Sequence, residues 1–447
     1  MKGHKRGHWG SSLGFILATS GAAVGLGNIQ RFPYIVAEGG GAGFVFIYLL
    51  CVALIGMPLI LMEFAIGRHT QRNPVCAIER IRPNSRWKWV GGLGILTAFF
   101  ILTYYSVVAG WTLGYVVQMA SGAVQDVQEF AADPVKVIGY MVVFMAIVMT
   151  VVSKGIHKGI ERWSKILMPV LLILLLGLVV RSLTLDGAWE GVKYYLQPDF
   201  SEIGWKSVLL ALGQAFFSLC VGEAVLVTYG SYAPKSENLA VSGASIALFD
   251  TIVALLAGLI IFPALFAFGK EPAQGVAVAF SVLPDVFLKM PGGSLFGALF
   301  FLLLAFAAIT TGIALLEIPV IYLIDSKKWK RKHAVWLVGC LAFVLGIPSA
   351  LSHGANNLLS RVRFWDFEGF YNVMDFVWGQ LGMVLTGGLL AIFTGWVWGA
   401  KNAAKELEIG SPEFSGLKKP WIVLTKYFAP VAVLVILIGV LISNTLN

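Results

Sequence analysis

Apolar residues run along this chain in long blocks separated by short polar loops. A run of about 18 or more mainly apolar residues is the length of a helix that crosses a bilayer. Eleven such runs are read here, near 12–37, 43–67, 90–120, 135–152, 163–182, 207–232, 240–268, 297–324, 334–351, 370–398 and 421–441. Two are interrupted. The first carries Gly21, Gly25 and Gly27 within S-G-A-A-V-G-L-G-N-I-Q-R-F-P, Ser20 to Pro33, and glycine costs about 1 kcal/mol against alanine in a helix interior. The sixth, five runs later, breaks at 218–224, S-L-C-V-G-E-A. Interrupted helices in corresponding positions of two halves point to a binding site near the bilayer midplane. Because five is odd, the second half enters the membrane upside down relative to the first. The pattern therefore predicts an all-α integral membrane protein with one membrane domain over 1–447. It comprises inverted five-helix repeats over 9–183 and 200–400, and an additional eleventh helix over 420–447. Residues 271–293 are too short and too polar to span. They read as amphipathic pieces on the outer face, folded into a vestibule or lying as a loop at the headgroups.

Composition agrees with this pattern. The 447 residues are 58% hydrophobic and 13% charged, with mean hydropathy +0.81; soluble domains carry roughly 25% charged residues. The net charge of +9 would suggest nucleic acid in a soluble protein, but the lysines and arginines cluster in alternate loops: Lys2–Arg6, Arg68–Lys88, Lys154–Lys165, Lys327–Lys332 and Lys401–Lys419. By the positive-inside rule those loops and the N-terminus are cytoplasmic, and an odd number of spans places the C-terminus outside. A multi-pass protein of the plasma (inner) membrane is expected, whose partner is lipid and not nucleic acid. Residues 1–27 are not read as a cleaved leader, because glycines and Asn28 interrupt the apolar core. The four cysteines and six histidines show neither an extracellular disulfide framework nor a metal-ligand spacing.

The chemistry lies in polar groups at membrane depth. Glu63, Glu223, Asp250, Glu317 and Asp375 fall inside apolar runs, and each costs about 2.5–3.5 kcal/mol at a helix centre on insertion scales. They must face the protein interior, a cation or water. An alkali ion stripped of water needs about five or six hard oxygen ligands. Unwound backbone at 21–24 and the hydroxyls of Thr310 and Thr311 could supply one set; Asn28, Ser218 and Asp250 could supply another. Taken singly, Ser and Thr more often bond the carbonyl one turn back. An anionic group suits the amides of Leu26 and Gly27, which start the half-helix after the break. An ammonium suits the carbonyls that end the preceding half. A site with both ends fits a zwitterion such as an amino acid.

At these residues the chain resembles the neurotransmitter:sodium symporter family, in particular its bacterial amino-acid transporters. The likeness includes R-G-H-W at Arg6–Trp9, G-A-A-V-G-L-G-N-I-Q-R-F-P, G-M-P-L-I-L-M-E at Gly56–Glu63 and Y-Y-S-V-V-A-G-W-T-L-G from Tyr104. It continues through K-G-I-E-R, G-Q-A-F-F-S-L from Gly213, T-Y-G-S-Y ending at Tyr232 and M-D-F-V-W from Met374. It implies one sodium site from Ala23, Asn28, Ser218 and Asp250 and a second from Gly21, Val24, Ala307, Thr310 and Thr311, with no organic cofactor. The substrate carboxylate would meet Tyr105 beside Leu26 and Gly27, and its ammonium the carbonyls of Ala23, Phe217 and Ser218. Arg31 and Asp375 would form the outer gate, with Tyr105 and Phe217 as the inner lid. Arg6 and Asp325, with Trp9 and Tyr232, would form the cytoplasmic gate.

Some positions depart from the family's pattern. Gly25 stands where amine transporters place an aspartate, which favours an amino acid over a monoamine. Asp250 stands where asparagine is common, and Ala254 lacks the hydroxyl used by chloride-dependent relatives, so chloride-independent transport is expected. The chain ends after the eleventh helix where many relatives have a twelfth, which leaves the oligomeric state open. Small residues Ala22, Cys220 and Gly312, with Ile101, Thr311 and Leu315, imply a roomy pocket for a large neutral side chain, branched or aromatic. Glu223 is the least expected residue. It caps amides of the unwound segment or shares a proton with Glu63, or else it reads a basic or polar substrate side chain. The expected activity is inward sodium-coupled amino-acid symport by alternating access, with no enzymatic step. A substrate-gated channel or a non-transporting sensor on the same fold are the other classes.

Overall fold

The computed structural model describes residues 7–201, 203–270 and 278–443. Inside a bilayer no water is present to satisfy backbone amides and carbonyls, so a spanning chain must bond to itself, here as helices. Nine helices among the described residues are long and apolar enough to cross: Gly41–Thr70, Lys88–Ser121, Pro134–Ser153, Ile156–Leu183, Leu239–Ala267, Gly293–Lys327, Arg331–Leu351, Phe370–Glu408 and Phe414–Leu441. A bent pair, Ser12–Ala23 and Gly27–Gly39, makes a further span with a 52° kink. Trp205–Ser218 and Val225–Gly230, joined by unwound chain, complete the sixth of the eleven spans. Polar caps set several starts: Ser11 accepts from the Gly14 amide, Asp133 from those of Val135 and Lys136, and Asn238 from that of Val241.

The two breaks differ in kind. The first span stays helical through Ala23 and unwinds only at Val24 and Gly25, later than the expected opening at 21–24. A helix end leaves its last four carbonyls free without any unwinding, so Gly21 stays helical and its carbonyl is still freed. The sixth span unwinds over 219–224, with Cys220 at φ 51°, Gly222 at φ 86° and Ala224 at φ 59°. Left-handed backbone at non-glycine residues costs of order 1–3 kcal/mol each and persists only where the surroundings enforce it.

Close backbone approach provides that enforcement. A Cβ on Gly67 would fall on the Val227 carbonyl and within 2.8 Å of the Ser231 amide nitrogen, so the second span lies directly against the far half of the sixth. Gly230 returns the contact, with the Phe64 Cα 3.0 Å from where its Cβ would sit. Small residues let helices approach where no hydrophobic force drives them together. Buried charge ties the bundle at the end bearing the basic loops. The Arg68 guanidinium, fully enclosed, donates to Glu406 Oε1 at 2.9 Å and to the Glu237 carbonyl at 2.6 Å. Lys235 reaches the same carboxylate at 2.7 Å.

Two connections are specified by the structure beyond the sequence pattern. The described part of the segment between the seventh and eighth spans is helical at Val278–Val282 and Leu283–Lys289, and it packs against the bundle. Leu283, Val286 and Phe287 are buried, the last with its ring 5.4 Å from that of Phe300. Apolar faces on both short helices favour the protein over the headgroups. Residues 271–277 lie outside the described set. The link between the ninth and tenth spans forms a small hairpin, Arg363–Phe364 with Phe367–Glu368, which stacks Phe367 on Phe376 at 4.4 Å.

Gly222→Ala would combine a left-handed backbone with a Cβ directed onto the Met383 carbonyl of the tenth span. It is expected to destabilise the protein by about 2–4 kcal/mol, read as a lowered melting temperature in detergent.

A candidate site between the broken helices

The breaks of the first and sixth spans face each other. Helix ends at mid-membrane expose backbone groups, and the side chains beside them complete two polar clusters. In the first, the Asn28 amide nitrogen donates to Asp250 Oδ1 at 2.7 Å and to Ser218 Oγ at 2.9 Å. Ser218 Oγ donates in turn to Asp250 Oδ2 at 2.6 Å. All three residues are buried, on three different spans. Asn28 Oδ1 accepts from the Gly25 amide at 3.2 Å, holding the chain as it leaves the break. The donor hydrogens of Asn28 sit among oxygens where a cation would be favoured. A half-turn of the amide exchanges its nitrogen for its oxygen, and the cluster becomes a set of hard oxygen ligands. Tyr48 adds a phenol 3.5 Å from Ser218 Oγ, a neighbour the sequence pattern did not single out.

The second cluster joins the first and eighth spans. A Cβ on Gly21 would lie 3.2 Å from the Thr310 Cβ, so the Thr310 side chain packs directly on the first span's backbone. Thr310 Oγ1 donates to the carbonyls of Phe306 and Ala307 on its own helix, at 3.1 and 2.9 Å. Thr311 Oγ1 instead crosses to the Ala22 carbonyl at 3.1 Å. Val24, beside these groups, has extended backbone, with ψ 94°. Gly21, Val24, Ala307, Thr310 and Thr311 are thus brought together, with both hydroxyls engaged by carbonyls.

Between the clusters opens a cavity of about 190 Å³. Its inner part is lined by Ala23, Leu26, Gly27, Asn28, Ile101, Tyr105, Phe217, Ser218, Cys220, Glu223, Thr311 and Leu315. The Tyr105 hydroxyl is enclosed, beside Thr311 and the Leu26 amide. A Cβ on Gly25 would lie 2.7 Å from Thr311 Oγ1 and 3.4 Å from the Tyr105 hydroxyl, so a larger residue there would fill the cavity floor. Tyr104, Val108, Tyr371 and Gln380 also line the cavity and were not anticipated. Val108 lies seven residues beyond Ile101 on one helix, a spacing that would have placed both on one face.

Arg31 and Asp375 flank the outer part, but among the described residues no ion pair joins them. The Arg31 guanidinium lies over the Phe217 ring, 4.3 Å from its centroid, and Asp375 accepts from the Gln380 amide at 3.3 Å. A guanidinium stacks favourably on an aromatic face, which accounts for Arg31 staying on its own side. The opposite end is shut. Trp9 donates from Nε1 to the Tyr229 carbonyl at 3.0 Å, and its ring stands edge-on to Tyr232 at 6.0 Å. Tyr232 donates to Glu317 Oε1 at 2.6 Å, and Arg331 holds that carboxylate through two nitrogens at 2.7 and 2.9 Å. Tyr232 therefore works through Glu317 and Arg331. Asp325 accepts from the Asn73 amide at 3.0 Å, and Arg6 lies outside the described residues.

The sequence pattern of the sodium:neurotransmitter symporter family matches residues 6–126 and 123–445. The chain belongs to that family. It is 40% identical, over 99% of its length and all of the relative's, to the uncharacterized sodium-dependent transporter YhdH of Bacillus subtilis. It is 24% identical over 94% of its length to the human sodium- and chloride-dependent GABA transporter 2. Its structure is similar to that of MhsT in complex with L-phenylalanine, with TM-score 0.89, 39% identity, and 97% and 100% of the two chains covered. The protein is thus a sodium-dependent symporter of the membrane, and its family is one of transporters.

Two expected pocket residues of this symporter are elsewhere. Gly312 faces Phe144, whose ring would lie 2.8 Å from an added Cβ, and Ala22 is buried behind the break with its carbonyl taken by Thr311 and Cys220. Both serve close packing between spans and leave the cavity's width to Ile101, Val108 and Leu315. Glu63, and not Glu223, caps the unwound segment, with Oε1 accepting from the Gly222 amide at 2.8 Å. The second span stands directly behind the break, so its carboxylate reaches that amide first.

Asp250→Ala would remove the acceptor that Asn28 and Ser218 share. The melting temperature of this variant is expected to lose its dependence on sodium. Ser218→Ala should weaken that dependence by about tenfold in apparent affinity, the equivalent of one hydrogen-bonding ligand.

Proposed function

We propose that this symporter carries an amino acid inward with about two sodium ions, the two halves rocking around a fixed central site. One observation carries the reading. A buried carboxylate, a hydroxyl and an amide meet within hydrogen-bond distance at the junction of two helix breaks, beside a cavity bounded by free helix ends. One sodium would take the Ala23 carbonyl with Asn28, Ser218 and Asp250. The other would take the carbonyls of Gly21, Val24 and Ala307 with the hydroxyls of Thr310 and Thr311. The second half-helix begins at Leu26, so its first amides have no carbonyl one turn back. These amides and the Tyr105 hydroxyl are suited to a carboxylate. The carbonyls of Ala23, Phe217 and Ser218 are suited to an ammonium. The complex of MhsT with L-phenylalanine supports an α-amino acid as substrate.

Alternating access follows from the two ends of the cavity. Residues 9–183 and 200–400 would form the inverted halves. Arg31, stacked on Phe217, and Asp375 face each other across the outer mouth, ready to close over a substrate beneath Tyr105 and Phe217. Trp9, Tyr232, Glu317 and Arg331 hold the other end shut, and Arg6 with Asp325 would complete that gate on the cytoplasmic side. This orientation puts the N-terminus inside, the C-terminus outside and the protein in the plasma (inner) membrane. Sodium favours the form with the outer mouth open, because a ligand shifts a conformational equilibrium toward the state it binds better. Ile101, Val108 and Leu315 make walls suited to a long, mainly apolar side chain. Glu223 lines the same cavity and sets a carboxylate beside these walls.

The Asp250 carboxylate places fixed negative charge beside the first sodium, and Ala254 offers no hydroxyl to a chloride. Uptake of labelled amino acids into liposomes holding the purified protein should require an inward sodium gradient. It should be unchanged when gluconate replaces chloride. Accumulation that ignores the sodium gradient, or that collapses without chloride, contradicts the corresponding part of the reading.

A further inference from the structure

We infer that the side chain this symporter selects ends in a cation, as in lysine, ornithine or arginine, and that Glu223 is the residue that reads it. The inference rests on the symport reading above and concerns the same cavity. Glu223 sits in the unwound segment between Gly222 at φ 86° and Ala224 at φ 59°, so backbone and not side-chain freedom sets its position. It is 4% exposed, it lines the cavity, and its Oε2 has no hydrogen-bond partner. The capping role that would otherwise explain a carboxylate here is filled by Glu63, which holds the Gly222 amide.

The groups around Glu223 leave it unmatched. Cys220, at hydrogen-bond distance from the carboxylate, also donates its thiol to the Ala22 carbonyl at 3.3 Å. Glu63, Tyr104 and Tyr105 are also close enough to interact with it, and none of these carries positive charge. Arg31 is the one Lys or Arg lining the cavity among the described residues, and it is stacked on Phe217 at the outer end. A carboxylate taken out of water without a partner is strongly unfavourable. The missing partner is therefore assigned to the cargo.

The shape agrees. Ile101, Val108 and Leu315 give apolar walls beside the Glu223 carboxylate, while Asp375 lies at the outer part. Lysine and arginine have the same division, an apolar stem with a charged head. A site built around a polar partner discriminates against analogues lacking it far more than an apolar pocket does, because its own group is then left unpaired. Glu223 would therefore accept lysine and discriminate against norleucine, which has the same stem without the ammonium.

The test is sodium-driven uptake by the full chain in liposomes, with labelled lysine and labelled leucine, and with unlabelled lysine and norleucine as competitors. The wild type should take up lysine, with norleucine competing at least ~100-fold more weakly. Glu223→Gln should lose most of that difference and Glu223→Asp should keep part of it. Melting temperatures in sodium, with and without lysine, report whether each variant is folded and binds. Sodium-driven leucine uptake that excess lysine does not compete would overturn the inference and leave the symport reading standing. So would a folded Glu223→Gln that keeps the preference for lysine. Absence of sodium-driven uptake for every amino acid would instead sink the symport reading itself.

Discussion

A backbone amide or carbonyl left unbonded in hydrocarbon costs several kcal/mol. A membrane helix can therefore be broken only where other groups take up what the break releases. Here the breaks meet each other. Asn28 Oδ1 takes the Gly25 amide, Glu63 takes the Gly222 amide, and Thr311 and Cys220 take the Ala22 carbonyl. The first of these bonds lies within its own break; the others join a break to a neighbouring span or to the other break. The interior cannot be stable unless the second and eighth spans stand against the first and sixth.

That dependence explains the placement of the small residues. Gly67 and Gly230 let the second span and the far half of the sixth approach until side chains are excluded, which brings Glu63 within reach of the unwound segment. Gly21 does the same between the first and eighth spans, beside Thr310. The packing contacts and the polar contacts are made by the same pairs of helices. A change in either is felt at the cavity.

The two ends of the cavity are built differently. The closed end is a chain of buried polar contacts from Trp9 through Tyr232 and Glu317 to Arg331, whereas the outer end holds one stacked guanidinium and a carboxylate facing each other without contact. A network of directed bonds is lost nearly all at once, whereas the outer residues share no bond to break.

Much of this was legible in the residue pattern, because the bilayer imposes a length and a polarity on every span. Eleven runs became eleven spans, the glycines of 21–27 and the 218–224 string marked the two breaks, and Asn28, Ser218 and Asp250 stood out as polar groups with no place in hydrocarbon. Direction and partnership were decided in three dimensions. The pattern could not show that the first span stays helical to Ala23, that Gly312 turns to Phe144 and away from the cavity, or that Arg31 lies over Phe217. Nor could it choose between Glu63 and Glu223 as the cap, since both are acids near one break and only the packing of the second span puts one of them on the Gly222 amide. Sequence periodicity says which residues leave water, because solvation acts on each residue separately. Which buried group meets which is a property of pairs of helices distant in the chain, and only their packing settles it.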